Sequence, residues 1–274
     1  MISWLCVHLY YRGSLDELLT GCVGPFLDAY LHLMEARTPY FFIRYPQGGN
    51  HIRLRMHTRY HALLTALLQR HTQAALLPFA VHCRQQEYIP ETARYGNEAS
   101  IVWAENYFHL SSFQTMQWLI HKKPQAPVFA ICQHMALLTL GGFSTAQQLA
   151  LCNYFIDDWI RIFKSPEHKE LIIAAFERLL LSQKAMLLPA IYRQYLDWRN
   201  DAGITAKLRN ITHHYLHAGF SDEQLAVALT GMMHMTHNRL GIDNQEEAYI
   251  MYCCKACIQH IHEHERTITA NIEH

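Results

Sequence analysis

Hydrophobic and polar positions along the chain follow two different patterns, and the change falls near residue 98. Before it, short runs rich in β-branched and aromatic residues interchange with stretches of helical apolar spacing. WLCVHLYY (4–11) predicts a first strand, and Ser14 then opens a helix, DELLTGCVGPFLDAYLHLMEA, with a kink or interruption expected at Gly24-Pro25. TPYFFIRY and HIRLRMH predict a hairpin, RYHALLTALLQRH an amphipathic helix, and LLPFAVHCRQQEY a fourth strand. The order β-α-β-β-α-β is that of a split βαβ, ferredoxin-like unit, which carries its helices on one sheet face. After residue 98, SIVWAENYFHLSSFQTMQWLI, STAQQLALCNYFIDDWIRIF, HKELIIAAFERLLLSQKAML and DEQLAVALTGMMHMTHNRL all repeat apolar positions every three to four residues. Ser144 and Ser221 stand at N-cap positions. The expected fold is α+β: a ferredoxin-like N-terminal portion (1–97) packed against a mainly helical portion (98–274) in a single domain.

Within that pattern FFIRYPQGGNHIRLR (41–55) places three arginines on a small sheet. A two-residue turn at Gly48-Gly49 would set Arg44 opposite Arg53 and Phe42 opposite Arg55. Alternation puts His51, Arg53 and Arg55 on one face and Ile52, Leu54 and Met56 on the other. On the first strand Leu5, Val7 and Leu9 suit the core, which leaves Trp4, His8 and Tyr10 beside the arginines. Like charges directly opposed on a sheet repel by roughly 0.2–1 kcal/mol. The face is therefore either solvated, internally paired, or built for an anion; arginine's planar fork suits a carboxylate or phosphate. Composition narrows the choice of partner. Half of the 274 residues are hydrophobic, 17% are charged, and 23 basic residues balance 23 acidic ones. That excludes the broad basic field on which nucleic-acid binding depends, but not a local basic pocket. No run approaches the roughly 20 apolar residues of a membrane span, and the N-terminus lacks the layout of an export signal. The eight scattered cysteines read as reduced thiols, and the expected compartment is the cytoplasm.

FFIRYPQGGNHIRLR, followed by YIPETARYGNE and later by GMMHMTHNRLGI, resembles the thiopeptide-type bacteriocin biosynthesis family, which includes the C-terminal elimination domain of lantibiotic dehydratases. The N-terminal aromatic strand and the AENYF segment fit as well, so the resemblance runs through nearly the whole chain in order. It implies elimination of glutamate from glutamylated serine or threonine of a ribosomal precursor peptide, giving dehydroalanine or dehydrobutyrine. The glutamylation itself belongs to a separate tRNA-dependent enzyme acting in trans. By resemblance, Arg53, Arg55 and Arg94 match positions that engage glutamate, and His234 matches the helical histidine that exchanges a proton with the substrate. Arg94 and His234 are the expected catalytic residues, and Arg53, Arg55, Arg44 and Tyr95 the expected substrate-binding ones. Glu91 and Tyr88 are expected to support Arg94, and Gly96 to permit the turn after it. The family implies no cofactor and no metal, no direct contact with nucleic acid, and a homodimer as one assembly. It also contains pyridine synthases, which join two dehydroalanines in a formal [4+2] cycloaddition, and it leaves room for a non-catalytic protein that binds precursor peptide or partner.

CCKACIQHIHEHE (253–265) invites a metal reading, since Cys253, Cys257, His260 and His264 would form one helical stripe. A straight helix spreads those four over about 16 Å at 1.5 Å per residue, too far for one tetrahedral ion. Buried thiols with histidines on the polar side are the simpler expectation.

Overall fold

The computed structural model describes residues 2–31, 38–121 and 125–272, without the side chains of Leu31 and 264–272; the end of the first expected helix (32–36) and the side chain of His264 therefore lie outside the described residues. The fold is α+β, a small four-stranded antiparallel sheet and a mainly helical remainder. The chain divides into two compact units, Met1–Glu91 with Glu105–Lys123, and Thr92–Ala104 with Pro124–His274.

In the first unit, β1 (Ser3–Tyr10), β2 (Tyr40–Tyr45), β3 (His51–Thr58) and β4 (His82–Gln86) form a sheet in the order β2-β3-β1-β4. Every neighbouring pair is antiparallel. A helical stretch, α1 (15–31), connects β1 to β2, and α2 (His61–Ala74) connects β3 to β4. Leu5, Val7, Leu9, Phe42, Ile52, Leu54 and Met56 are buried against Leu18, Leu19, Val23 and Phe26 of α1 and Leu64 and Leu68 of α2. Each such side chain contributes about 1.5–3 kcal/mol on burial, so the alternation seen in the sequence fixes which face meets the helices. At Gly24-Pro25, where a kink or interruption is expected, the helix is irregular but unbroken. The chain stays helical from 15 to 31 by passing through π turns at Leu19–Val23 and Leu27–Leu31, and the wider spacing lets Gly24 N–H reach the carbonyl of Leu19. On the edge strand β2, Phe42 N–H donates to Ser112 Oγ at 3.2 Å; Ser112 lies on α3 (Ile101–His121), which protects that edge.

The hairpin register differs from the expected one. Tyr45 pairs with His51 across a five-residue connection, so Arg44 faces Ile52, while Ile43 faces Arg53 and Phe41 faces Arg55. A register slip of one residue turns a side chain to the other face. Arg44 therefore shares the helix-packed face with Ile52, where it forms a 2.6 Å ion pair with Asp16 in the first turn of α1. The expectation that Arg44 stands beside Arg53 as a substrate-binding residue is corrected on this point: the two point to opposite sides of the sheet. Asp16 is half exposed, which limits such a pair to about 1 kcal/mol. Replacing Arg44 with methionine should cost no more than that in a urea unfolding measurement.

In the second unit the helices are α4 (Ala126–Met135, continued by a π turn to Leu140), α5 (Thr145–Phe163), α6 (Lys169–Asn200), α7 (Ala202–Leu216), α8 (Asp222–Leu240) and α9 (Glu247–Ile272). Ser144 and Ser221 close full capping boxes with Gln147 and Gln224. α6 outruns its expected end and carries Pro189 inside the helix. In α9, Cys253 and Cys257 are buried while His260 is exposed, so these three described members of the stripe face different surroundings. Burial pushes the Cys253 thiol up to about 11 and the Cys132 thiol up to about 12, away from the thiolate form that a nucleophile or metal ligand requires. No helix among the described residues is long and apolar enough to cross a membrane.

Candidate functional site

Each unit carries one cluster of the expected site residues. In the sheet unit, Trp4, Cys6, His8 and Tyr10 of β1 register with His57, Arg55, Arg53 and His51 of β3, all on the face away from α1 and α2. Arg84 of β4 registers with His8 on the same face; the sequence reading passed it over because it sits in a short edge strand. The guanidinium carbon of Arg53 lies 3.4 Å from the centroid of Tyr45, and that of Arg55 lies 4.5 Å from Tyr88 and 5.1 Å from Phe41. Stacking of this kind holds the forks in place without neutralising them. Among the described residues neither Arg53 nor Arg55 makes an ion pair, and Arg55 Nε is buried without a hydrogen-bond partner.

His8 and His51 add no charge to this face at neutral pH. Burial first, then the Arg53 charge, pushes His8 down to about 4, and burial also lowers His51. The buried carboxyl of Glu105 is pushed above the usual range by burial, against the pull of Tyr88, Trp4, His57 and Arg55. An anion with a flat carboxylate head meets two aromatic-backed guanidinium groups here.

In the helical unit, Arg94 and His234 line one cavity of about 250 Å³, with Trp159 and Phe163 of α5, Gly231 of α8, and Asn244 and Glu247 among its other walls. Arg94 sits in a turn pinned by its neighbours. Tyr95 carbonyl accepts from Ser100 Oγ at 2.7 Å and from Tyr215 Oη at 3.1 Å. Gly96 has φ +106°, and a Cβ there would strike the Phe220 ring at 2.4 Å, so the turn requires glycine. Tyr95 itself is buried and forms no part of the cavity wall. Its ring packs against Arg94, 5.9 Å from the guanidinium carbon, and within reach of Gly231.

His234 is held by a residue that the motifs do not contain. Its Nδ1 lies 3.0 Å from both carboxylate oxygens of Glu247. His234 is 30% exposed and Glu247 4%. Glu247 begins α9 after a tight connection in which Gly241 takes a left-handed conformation and Asp243 accepts from Gln245 N–H at 2.8 Å. At a helix start the positive end of the dipole favours a carboxylate. Burial alone would raise the Glu247 carboxyl, yet hydrogen bonds and charge from His234 and His237 bring it below the usual range. A carboxylate-held imidazole beside a guanidinium suits proton abstraction next to a developing negative charge.

The family model described as lantibiotic biosynthesis dehydratase C-term matches residues 4–258. The chain belongs to this family. Three solved structures share the fold of this lantibiotic dehydratase C-terminal family member. They are the tRNA dependent lantibiotic dehydratase MibB from Microbispora sp. 107891 (20% identity, TM-score 0.67), the pyridine synthase TbtD from thiomuracin biosynthesis (13%, 0.66), and TsrL (13%, 0.63). The match covers 96% of this chain and 28% of MibB, 93% and 97% for TbtD, and 96% of both chains for TsrL. Among curated proteins, none matches the chain.

Two measurements probe the cavity of this lantibiotic dehydratase C-terminal domain. A Cβ on Gly231 would lie 3.0 Å from Arg94 Nε and 3.2 Å from the Tyr95 ring. Gly231→Ala gains up to about 1 kcal/mol of helix propensity, but the methyl group displaces Arg94; turnover should fall at least about 10-fold, the loss expected for a misplaced charge-assisted contact, with the fold intact by circular dichroism. The second concerns acid. Burial drives His134 and His237 below their usual values, and Glu247 is also lowered. All three thus bind protons more readily in the unfolded chain, histidines from about pH 6.5 downward and the glutamate from about 4.3. Stability falls with acidification, and the urea midpoint at pH 5 should lie below that at neutral pH.

Proposed function

We propose that the chain removes glutamate from glutamylated serine and threonine side chains of a ribosomally made peptide, leaving dehydroalanine or dehydrobutyrine. The observation that carries this reading is the His234–Glu247 pair sharing one cavity with Arg94. His234, with Nδ1 occupied by Glu247, takes the Cα proton of the modified residue through Nε2. The electron pair forms the Cα–Cβ double bond as the Cβ–O bond breaks, and glutamate leaves as a carboxylate. Glu247 stabilises the imidazolium, and Arg94 the negative charge that builds up. Arg53 and Arg55 bind the carboxylate of the glutamyl group. The step is a proton transfer and a bond cleavage with no net oxidation, so the side chains suffice without a cofactor. In this reading both units belong to one elimination-type domain, active in a reducing cytoplasm on peptide that a glutamylating enzyme has prepared. The sheet order, with helical links from β1 to β2 and from β3 to β4, supports a ferredoxin-like description of the sheet unit.

Pyridine synthesis is the second reading, favoured by the match to TbtD over 97% of that chain. It gives no task to a pair of unneutralised arginines. Two substrates separate the readings: a glutamylated peptide, and a peptide bearing two dehydroalanines. Elimination predicts glutamate release from the first and no macrocycle from the second; the reverse pattern establishes pyridine synthesis.

A further inference from the structure

Behind the His234–Glu247 pair lie two more histidines that no motif accounts for. His237, one turn after His234 on α8, has its Nδ1 3.7 Å from Glu247 Oε2. Its Nε2 lies 2.8 Å from Nε2 of His134 on α4, with the two rings perpendicular. Both side chains are completely buried, and neither His134 Nδ1 nor His237 Nδ1 has a hydrogen-bond partner; the 3.7 Å approach of His237 to Glu247 is a charge contact.

The hydrogen atoms in this row follow from what each nitrogen faces. A carboxylate only accepts, so Nδ1 of His234, at 3.0 Å, carries hydrogen; hydrogen on Nδ1 of His237 is the arrangement that turns a positive edge, and not a lone pair, toward Glu247 Oε2 at 3.7 Å. Burial first of all keeps His134 and His237 neutral. A neutral His237 with hydrogen on Nδ1 is bare at Nε2, and the 2.8 Å contact then takes its hydrogen from His134 Nε2. His134 is left bare at Nδ1, which has no partner.

We propose that His134 and His237 are positioning residues for the base: they form a buried line that fixes the Glu247 carboxylate against His234 Nδ1 and so keeps His234 Nε2 bare for the substrate proton. This rests on the acid–base role given to His234 above. The line acts as the carboxylate does in a hydrolytic triad, by selecting tautomer and orientation. Two further groups are recruited here because the carboxylate is buried and its Oε2 faces His237 across 3.7 Å.

The decisive measurement is nitrogen-15 NMR of histidine-labelled wild-type protein near neutral pH. The expected tautomers are Nδ1–H for His234 and His237 and Nε2–H for His134; finding His237 as Nε2–H overturns the proposal. In activity, His237→Leu should lower kcat for glutamate release about 10-fold, the lower end of what outer partners of an oriented imidazole cost, with KM unchanged. His237→Asn, which keeps a donor near the position of Nδ1, should recover most of the loss. An unchanged kcat and an unchanged His234 tautomer in folded His237→Leu protein also overturn the proposal. The tautomer reading requires no turnover. If the wild-type protein releases no glutamate, the elimination reading fails while the NMR result still decides the positioning role.

Discussion

Replacing His234 with alanine is expected to slow glutamate release from a glutamylated peptide by about 10²–10⁴-fold, the usual contribution of a positioned acid or base. The large effect follows from the arrangement around the ring. Nδ1 is committed to both oxygens of Glu247 at 3.0 Å, and the side chain remains partly exposed in the wall of the cavity that also holds Arg94. Removing the imidazole also strips both hydrogen bonds from the buried Glu247 carboxylate, so the variant should melt below wild type while staying folded by circular dichroism, and bind peptide with similar affinity. Coupled to a glutamylating enzyme, it should accumulate glutamylated peptide. Glu247→Gln keeps an acceptor for Nδ1 but loses the charge that stabilises the imidazolium, so its loss should be smaller than that of His234→Ala. A His234→Ala enzyme within a few-fold of wild type would remove His234 from the chemistry.

Alanine at Arg53 or Arg55 should reduce kcat/KM for glutamylated peptide by about 10- to 100-fold each, the worth of one charge-assisted hydrogen bond to a carboxylate. The same substitutions should change stability by no more than about 1 kcal/mol. Neither arginine has an ion-pair partner among the described residues to lose, and the lost stacking on Tyr45, Tyr88 and Phe41 is offset by relief of repulsion between neighbouring cations. Function and stability are thus predicted to separate, which a purely structural face would not allow. Added free glutamate should inhibit the wild-type enzyme and lose potency against both variants. Equal inhibition of wild type and variants would show that the arginines bind something else.

Alternation along HIRLR was enough to place Arg53 and Arg55 on one face, because burial of Ile52, Leu54 and Met56 leaves a strand no choice of side. The turn between β2 and β3 was harder to read. Gly48-Gly49 suggests a two-residue loop, but the connection runs from Pro46 to Asn50, and the difference of one place moves Arg44 to the opposite face. The capping serines Ser144 and Ser221 marked where two helices begin, each one place before the first helical residue. The motif on α8 pointed to His234. Glu247 was invisible to such reading: it lies on another helix after an irregular connection, where no periodicity links it to His234. The His134–His237 contact spans 103 residues, and nothing short of tertiary packing brings those rings together.

The claim that matters most is that glutamate leaves by abstraction of a Cα proton. It is tested by incubating the wild-type protein with a peptide whose glutamylated serine is deuterated at Cα, and following both glutamate release and peptide mass. The account predicts that release slows by a primary isotope effect and that the peptide ends as dehydroalanine with the deuterium lost. Glutamate released at an unchanged rate, with serine restored and the deuterium retained, would show hydrolysis in place of elimination and contradict it.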